Sequence, residues 1–128
     1  MTNGNSYFET QSEYLVSYGE RPWGYYLVLA NEKDIKVKKI TVKPNKQLSL
    51  QIHRKRNEHW FIHSGIGQVT LGDQHIELHP GDSINIKKNE KHRIANTTET
   101  DLVFIEIQTG EYFGEDDIER LDDDFGRD

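Results

Sequence analysis

The chain has 128 residues and a formal net charge of −6, which fits one domain with one core and argues against a nucleic-acid binder. It contains no cysteine, so a disulfide framework and thiolate metal ligands are excluded. No apolar run approaches the roughly 18 residues of a membrane span, and no N-terminal charged-then-apolar signal is present. We therefore expect a cytoplasmic protein that does not bind a membrane.

The first part of the chain predicts an arm followed by strands. Residues 1–20 show no clear apolar period, so we expect a flexible arm or an edge strand there and a single domain over residues 21–128. In the segment "RPWGYYLVLAN", Pro22 and Gly24 precede a run of residues that favour β-structure, which predicts a strand. In "DIKVKKITV" the apolar residues change parity between Val37 and Ile40, which predicts a bulge or a bend.

The middle of the chain alternates between apolar and polar residues. In "LSLQIH", Gln51 and His53 share one face and the leucines and isoleucine share the other. The segment "HWFIHS" predicts another strand, which "GIG" ends. The runs "QVTL" and "QHIEL" flank Gly72-Asp73, which is typical of a two-residue hairpin.

The last third of the chain predicts three more strands, in "SINIK", "HRIAN" and "DLVFIEIQ". The last of these is apolar on both faces, which predicts a central or covered position. A short helix is predicted for "EDDIERL", where early acidic residues suit the N-terminal end of the helix dipole. About eight short strands with frequent turns predict an all-β sandwich or barrel.

Candidate ligands are concentrated in "LSLQIHRKRNEHW". Gln51 and His53 point the same way, and Glu58 starts the next strand, where an antiparallel pairing could bring its carboxylate opposite His53. His92 follows much later, with Asn96 four residues beyond it. Amide, imidazole and carboxylate groups can form a metal site. A solvated charged loop between two strands is the alternative.

The spacing of these residues resembles that of the cupins. The first cupin motif, G-x5-H-x-H-x3,4-E-x6-G, runs from Asn45 through Gln51, His53 and Glu58 to Gly65. The second, G-x5-P-x-G-x2-H-x3-N, runs from Gly81 through Lys87, Asn89 and His92 to Asn96. Asn45, Lys87 and Asn89 depart from the motifs at turn positions, and Asn tolerates the positive φ that such turns need.

Gln51 stands where most cupins have a histidine, and this difference points to one group within the cupins. Together with "RPWGYY", "ITVKPNKQLSLQIH" and "EIQTGEYFGEDDIERLDDDFGR", it resembles the C-terminal cupin domain of type II mannose-6-phosphate isomerase / mannose-1-phosphate guanylyltransferase proteins. The resemblance covers nearly the whole chain from Arg21 and implies a stand-alone cupin jelly-roll barrel. One departure is local: Arg54 and Lys55 stand where the family often has a His-rich run.

The resemblance implies a metal centre and an isomerase. The implied ligands are Gln51, His53, Glu58 and His92. We expect one divalent ion per chain, Zn²⁺ first, with Mn²⁺, Co²⁺, Ni²⁺ or Fe²⁺ as alternatives. The implied reaction interconverts mannose 6-phosphate and fructose 6-phosphate through an enediol. A cupin without a metal, with Gln51 and His53 as polar barrel lining, is the alternative.

Five further residues are candidates for chemistry and substrate binding. Glu106 is the candidate base, because a carboxylate in an apolar strand is expected to have a raised pKa. Arg120 resembles the arginine that stabilises developing charge in these isomerases. Lys46 and Ser49 resemble positions near the phosphate site, and Arg56 is a further phosphate candidate. A rim carboxylate and surface cations are the alternative interpretations.

The remaining predictions concern the pocket wall and the rival functions. Arg21 and Trp23 could close the sugar pocket, whereas the other histidines are predicted to be structural or exposed: His59, His63, His75 and His79. The main rival is a non-catalytic cupin that senses a sugar phosphate. A metal-free sugar-nucleotide epimerase and an iron dioxygenase are weaker rivals. Because cupins commonly pair, we expect a homodimer.

Overall fold

The computed structural model describes residues 17–123, and within that range the chain forms twelve strands and no helix. In chain order these are β1 (Tyr18–Arg21), β2 (Gly24–Asn31), β3 (Ile35–Val42), β4 (Lys46–Gln47), β5 (Leu50–Ile52), β6 (Arg56–Ser64), β7 (Gly67–Leu71), β8 (Gln74–Leu78), β9 (Ser83–Ile86), β10 (His92–Asn96), β11 (Leu102–Gly110) and β12 (Glu119–Asp122). The described residues contain no helix that is long and apolar enough to cross a membrane.

The strands form two sheets that enclose one core. The first sheet has the order β1-β2-β3-β11-β6-β9, and the second has the order β12-β5-β10-β7-β8, with β4 paired to β10. All pairings are antiparallel, and the core draws side chains from both sheets. The predicted all-β jelly-roll barrel is confirmed, and β11 has the central position that its two apolar faces indicate.

The interior of the barrel changes from apolar to polar along its length. On β11 the inward-facing residues run from Leu102 and Phe104 to Glu106 and Gln108, since every second residue of a strand faces inward. The neighbouring strands follow the same order in register: Val42, Ile40 and Lys38 on β3, and Ile62, Trp60, Glu58 and Arg56 on β6. One end of the barrel is therefore a hydrophobic core, and the other holds buried charged groups.

Two turn predictions agree with the backbone. Leu71 pairs with Gln74 across the Gly72-Asp73 turn, and Gly72 has a φ of 58°, which a glycine adopts without steric cost. Asn45 and Asn89 have φ values of 60° and 70°. The two asparagines that depart from the cupin motifs thus adopt the left-handed conformation that we expected of them.

Two predictions are wrong in their local detail. The segment predicted to be a helix instead contributes β12, which gains backbone hydrogen bonds by pairing with β5. Of the bulge or bend predicted for β3, the bulge is not found, because β3 stays in continuous register with β11 from Ile35 to Val42. The register shift lies in its other neighbour, β2, between Val28 and Ala30.

The N-terminal boundary falls inside a strand. β1 starts at Tyr18, pairs with β2 and lies at the edge of the first sheet. It therefore spans the predicted boundary between residues 20 and 21. The rest of the predicted arm, residues 1–16, lies outside the described residues.

Candidate metal centre and adjoining cleft

Three buried side chains converge at the polar end of the barrel. His53 follows β5, His92 begins β10, and Glu58 reaches them from β6 in the opposite sheet. Their ligand atoms lie within 4.8 Å of one another, with His53 Nδ1 at 3.4 Å from Glu58 Oε2 and His92 Nε2 at 3.6 Å from Glu58 Oε1. Glu58 thus approaches His53 across the barrel and not, as the sequence suggested, through strand pairing.

The unsatisfied atoms of this triangle fit a divalent cation. His53 Nδ1, Glu58 Oε1 and His92 Nε2 are all buried without a hydrogen-bond partner. Buried polar atoms are normally paired, and a bound cation would satisfy all three at once. His92 Nδ1 lies 2.9 Å from the carbonyl oxygen of Glu90, which keeps its proton on Nδ1 and leaves Nε2 free as a ligand.

Gln51 lies beside the triangle and is held by Ser49. Its Cα is in register with those of His92 on one side and Arg120 on the other. Its Nε2 donates to Ser49 Oγ at 3.1 Å and to the Ser49 carbonyl at 3.3 Å. These bonds use the amide nitrogen and leave the amide oxygen, the atom that binds cations, for the site.

Both histidines are uncharged, as metal ligands must be. Burial, helped by the positive charge of Arg56 and by His92, lowers the pKa of His53 to about 2. Burial also lowers the pKa of His92. The two imidazoles are therefore neutral at physiological pH, and a neutral imidazole is the ligating species.

Arg56 is buried against two of the candidate ligands. Its NH2 group lies 2.8 Å from Glu58 Oε2 and 2.9 Å from His53 Nε2. Because His53 Nε2 accepts this bond, the neutral ring carries its proton on Nδ1. For Nδ1 to serve as a metal ligand, the ring would have to carry its proton on Nε2 instead, and Nε2 could then no longer accept the bond from Arg56.

Glu106 is buried and fully engaged, but the prediction of a raised pKa is wrong. Trp60 Nε1 donates to Oε2 at 3.1 Å and Gln108 Nε2 donates to Oε1 at 2.7 Å. Burial raises the pKa of Glu106, but the positive charges of Lys38 and Arg56 outweigh it and the net shift is downward. Burial and the charge of Glu106 raise the pKa of Glu58. Glu106 is therefore ionised at neutral pH.

A cleft opens beside these groups and encloses about 470 Å³, its open mouth included. Six residues singled out from the sequence line it: Arg21, Trp23, Gln51, Arg56, Glu106 and Arg120. The Nε atom of Arg120 is buried and has no hydrogen-bond partner. The candidate base and both candidate arginines thus share one cavity with a candidate metal ligand.

Other sequence candidates lie away from this cleft. Lys46 is exposed on β4, in register with Asn96, and lines a separate surface hollow. Ser49 is buried and contacts Gln51 without lining the cleft. The other four histidines are exposed or half-buried, as expected: His59, His63, His75 and His79.

Sequence reasoning missed Lys38, Tyr26 and Glu115, which also line the cleft. The Lys38 side chain is only 6% exposed; its Nζ lies 3.4 Å from Glu115 Oε2 and 4.4 Å from the centre of the Tyr26 ring. The sequence did indicate that Lys38 faces inward, because it alternates in step with Ile40 and Val42, which form the core face of β3.

The family model described as mannose-6-phosphate isomerase C-terminal matches residues 9–123. The chain belongs to this family. It is 48% identical over 107 residues to the alginate biosynthesis protein AlgA of Pseudomonas aeruginosa and 45% identical over 107 residues to the xanthan biosynthesis protein XanB of Xanthomonas campestris pv. campestris. Each match covers 84% of the chain but only 22% and 23% of those proteins. The chain therefore spans about a fifth of the length of these relatives.

A third relative bears a different name, and solved structures agree on the fold. The mannose-1-phosphate guanylyltransferase of Sinorhizobium fredii is 42% identical over 104 residues, which are 81% of the chain and 20% of that protein. A Klebsiella pneumoniae protein with a double-stranded β-helix domain has a TM-score of 0.69 at 17% identity, over 85% of this chain and 91% of that one. CapF of Staphylococcus aureus has a TM-score of 0.70 at 22% identity, and the match covers 82% of this chain and 32% of CapF.

In this member of the family, Arg54 and Lys55 hold the segment that walls the cleft. Asp117 accepts hydrogen bonds from the backbone N–H groups of Arg54, at 3.1 Å, and Lys55, at 2.9 Å. The Arg54 guanidinium also pairs with Glu119 at 2.7 Å. Residues 111–118, which we call the strap, are thereby fastened across the polar end of the barrel, with Glu115 facing the cleft.

Proposed function

We propose that this domain interconverts mannose 6-phosphate and fructose 6-phosphate. The observation that carries the proposal is the position of Glu106, an ionised and hydrogen-bonded carboxylate, on the same cleft as Gln51 and Arg56, beside the His53–Glu58–His92 triangle. An aldose–ketose isomerisation needs a base, a means to polarise two neighbouring oxygens, and cations that hold the phosphate. The membership in the isomerase family supports the same reaction.

The triangle is proposed to hold one divalent ion, with Zn²⁺ first and Mn²⁺, Co²⁺, Ni²⁺ or Fe²⁺ as alternatives. His53, Glu58 and His92 would hold it, and the amide oxygen of Gln51 is the proposed fourth ligand. When bound, the ion supplies polarisation of the substrate oxygens at C1 and C2. Buried neutral imidazoles and a single carboxylate suit such an ion.

Glu106 is the proposed base. It would take the proton from C2 of mannose 6-phosphate while the C–H electron pair forms the C1=C2 bond and the C1=O electron pair moves onto O1, which gives the enediolate form of the enediol. The same proton would return to C1 while a hydroxyl proton passes from O2 to O1, which gives the ketose. Trp60 and Gln108 fix the carboxylate, and Lys38 and Arg56 keep it in the ionised form that can accept a proton.

The cations of the cleft have proposed roles of two kinds. Arg120 would neutralise negative charge that develops on the substrate oxygens, because its Nε is buried in the cleft without a partner. Arg56 is a better-supported substrate contact than Lys46 or Ser49, since it lines the cleft and they do not. Ser49 is better explained as the support of Gln51.

Turnover after metal exchange tests the proposal. The protein would be stripped with a chelator and reloaded with single divalent ions, and mannose 6-phosphate isomerisation measured in both directions. We expect activity with at least one of the five ions and little in the stripped protein. His92→Ala, which removes a buried candidate ligand, should be inactive, and His63→Ala, which changes an exposed histidine, is its matched control. A fully loaded protein that turns over no substrate with any ion would contradict the proposal.

A sensor that binds sugar phosphates without turning them over is the second candidate. The observation that favours it is the pair of cations that lowers the pKa of Glu106, because a carboxylate held in this way is a weak base. Such a protein would bind fructose 6-phosphate and leave it unchanged. The homodimer and the cytoplasmic location remain predictions, which light scattering and cell fractionation would check.

A further inference from the structure

We propose that Lys38 and Arg21, with Arg120 beside them in the cleft, form an anion subsite, and that the carboxylate of Glu115 fills this subsite until an anionic substrate displaces it. The inference rests on the proposed function only in naming a sugar phosphate as that substrate. The subsite itself is argued from the contacts of these four side chains. The strap thus carries an internal stand-in for the phosphate.

Lys38 is the centre of the subsite. A buried ammonium group needs a compensating anion, because removing it from water is costly. The nearest strand neighbour in register, Glu106, already accepts hydrogen bonds from Trp60 and Gln108. The amine of Lys38 instead reaches Glu115 at 3.4 Å, over the face of the Tyr26 ring. The lysine therefore presents its charge to the cleft.

Two arginines extend this positive surface. Arg120 Nε is buried and unpaired in the same cleft. Arg21 is anchored by a bond from NH1 to the carbonyl of Glu20, at 2.8 Å, and by one from NH2 to the Tyr26 hydroxyl, at 3.2 Å. Tyr26 thus lies against both Arg21 and Lys38, which fixes the spacing of their charges.

The charge balance of the cleft favours a dianion. Arg56 is paired with Glu58, so the three other cations of the cleft, Arg21, Lys38 and Arg120, face two carboxylates, Glu106 and Glu115. If Glu115 withdraws, three cations face one carboxylate. A phosphate monoester carries close to two negative charges at neutral pH and would restore the balance. A neutral sugar would not, so the subsite should select for phosphate.

Glu115 is suited to be displaced. Its side chain is 50% exposed, whereas that of Lys38 is 6% exposed, so the pair is open to water on the side of the strap. An ion pair with an exposed partner is weak. The strap itself is fastened elsewhere, through Asp117 and the backbone of Arg54 and Lys55. Glu115 can therefore rotate outward while the strap stays in place.

Calorimetric titration of the metal-loaded protein with inorganic phosphate and with fructose 6-phosphate tests the inference. Glu115→Gln removes the internal anion, so we expect both ligands to bind about 2–5-fold tighter, or about 0.4–1 kcal/mol. Glu111→Gln, an exposed glutamate of the same strap, is the matched control and should leave the affinity unchanged.

Lys38→Met should weaken both ligands at least about 10-fold, or about 1.4 kcal/mol. Lys39→Met, on the opposite face of β3, should change little. Circular dichroism would show whether each variant is folded. If Lys38→Met does not fold, the test depends on Glu115→Gln, which alters only a half-exposed side chain. Unchanged or weaker phosphate binding by Glu115→Gln would overturn the inference.

The same titrations separate this inference from the isomerase proposal. If no sugar phosphate turns over but phosphate affinity follows Glu115 and Lys38 as described, the subsite stands and the reaction is wrong. If mannose 6-phosphate turns over but both variants bind phosphate like the wild type, the reaction stands and the subsite is wrong.

Discussion

Lys38 and Glu106 lie directly opposite each other in the register of β3 and β11, and both side chains are buried in the polar end of the barrel. The charge of Lys38, with that of Arg56, overcomes the effect of burial and lowers the pKa of Glu106. Lys38 thus helps to keep the candidate base ionised, and it also lines the cleft where the substrate is proposed to bind.

Replacing Glu106 by Gln should abolish the chemistry and preserve the site. The amide keeps the shape and can still bond to Trp60, but it cannot accept the C2 proton. We expect kcat to fall by roughly 10²–10⁴, the usual contribution of a positioned base, with unchanged metal content. Steady-state kinetics and elemental analysis would measure this. An equally active variant would mean that another group is the base.

The metal centre predicts about one divalent ion per chain. His53→Ala or His92→Ala should each remove most of it, because each deletes one of the three buried groups whose ligand atoms converge. His63→Ala, on an exposed position of β6, should keep it. Inductively coupled plasma mass spectrometry of purified protein measures occupancy. Full occupancy in both buried-histidine variants would refute the ligand assignment.

Burial of His53 should make the stripped protein sensitive to acid. Below the pKa of about 6.5 that an exposed histidine has, the unfolded chain binds a proton at this ring, and the native chain does not until its pKa of about 2. The free energy of unfolding should therefore fall as pH falls, by about 2 kcal/mol for His53 between pH 7 and pH 5.

Urea unfolding at the two pH values measures this loss. His92 acts in the same direction, because burial lowers its pKa as well, so the comparison needs a variant. His53→Asn should lose less stability on acidification than the wild type, while His63→Asn should lose as much as the wild type. Equal losses in the wild type and His53→Asn would show that His53 is not a neutral buried ring.

Trp60 should contribute to both stability and catalysis. Trp60→Phe removes the N–H donor to Glu106 Oε2 and leaves a small cavity, so we expect a loss of about 1–3 kcal/mol in the free energy of unfolding and a lower kcat. Phe61→Leu, on the outward face of the same strand, should change both quantities little. A fully active Trp60→Phe would show that this bond does not position the base.

The strand pattern was predictable because it depends on local alternation and turn chemistry. The Gly72-Asp73 hairpin and the positive φ of Asn45 and Asn89 follow from the residues themselves. The helix prediction failed because the acids of residues 115–121 suit a helix start only when no partner strand competes. Here β5 offers its edge, and Glu119–Asp122 pair with it.

The ligand triangle was predictable from motif spacing, whereas the electrostatics of the site was not. The pKa of Glu106 depends on Lys38, a residue 68 positions away that only the β3–β11 register brings near. In the same way, the position of Glu115 over Lys38 depends on the strap, which Arg54 and Lys55 fasten. Such contacts between distant segments have no local pattern in the sequence.

Exchange of the substrate proton with solvent tests the central claim most directly. In deuterated water, the metal-loaded protein should convert mannose 6-phosphate to fructose 6-phosphate with deuterium appearing at C1, because the proton held by Glu106 can exchange before it returns. Mass spectrometry or NMR of the product measures the incorporation. Glu106→Gln should lose isomerisation and exchange together. A metal-loaded wild-type protein that binds the sugar phosphate yet neither isomerises it nor exchanges its C2 proton would contradict the isomerase and favour the sensor.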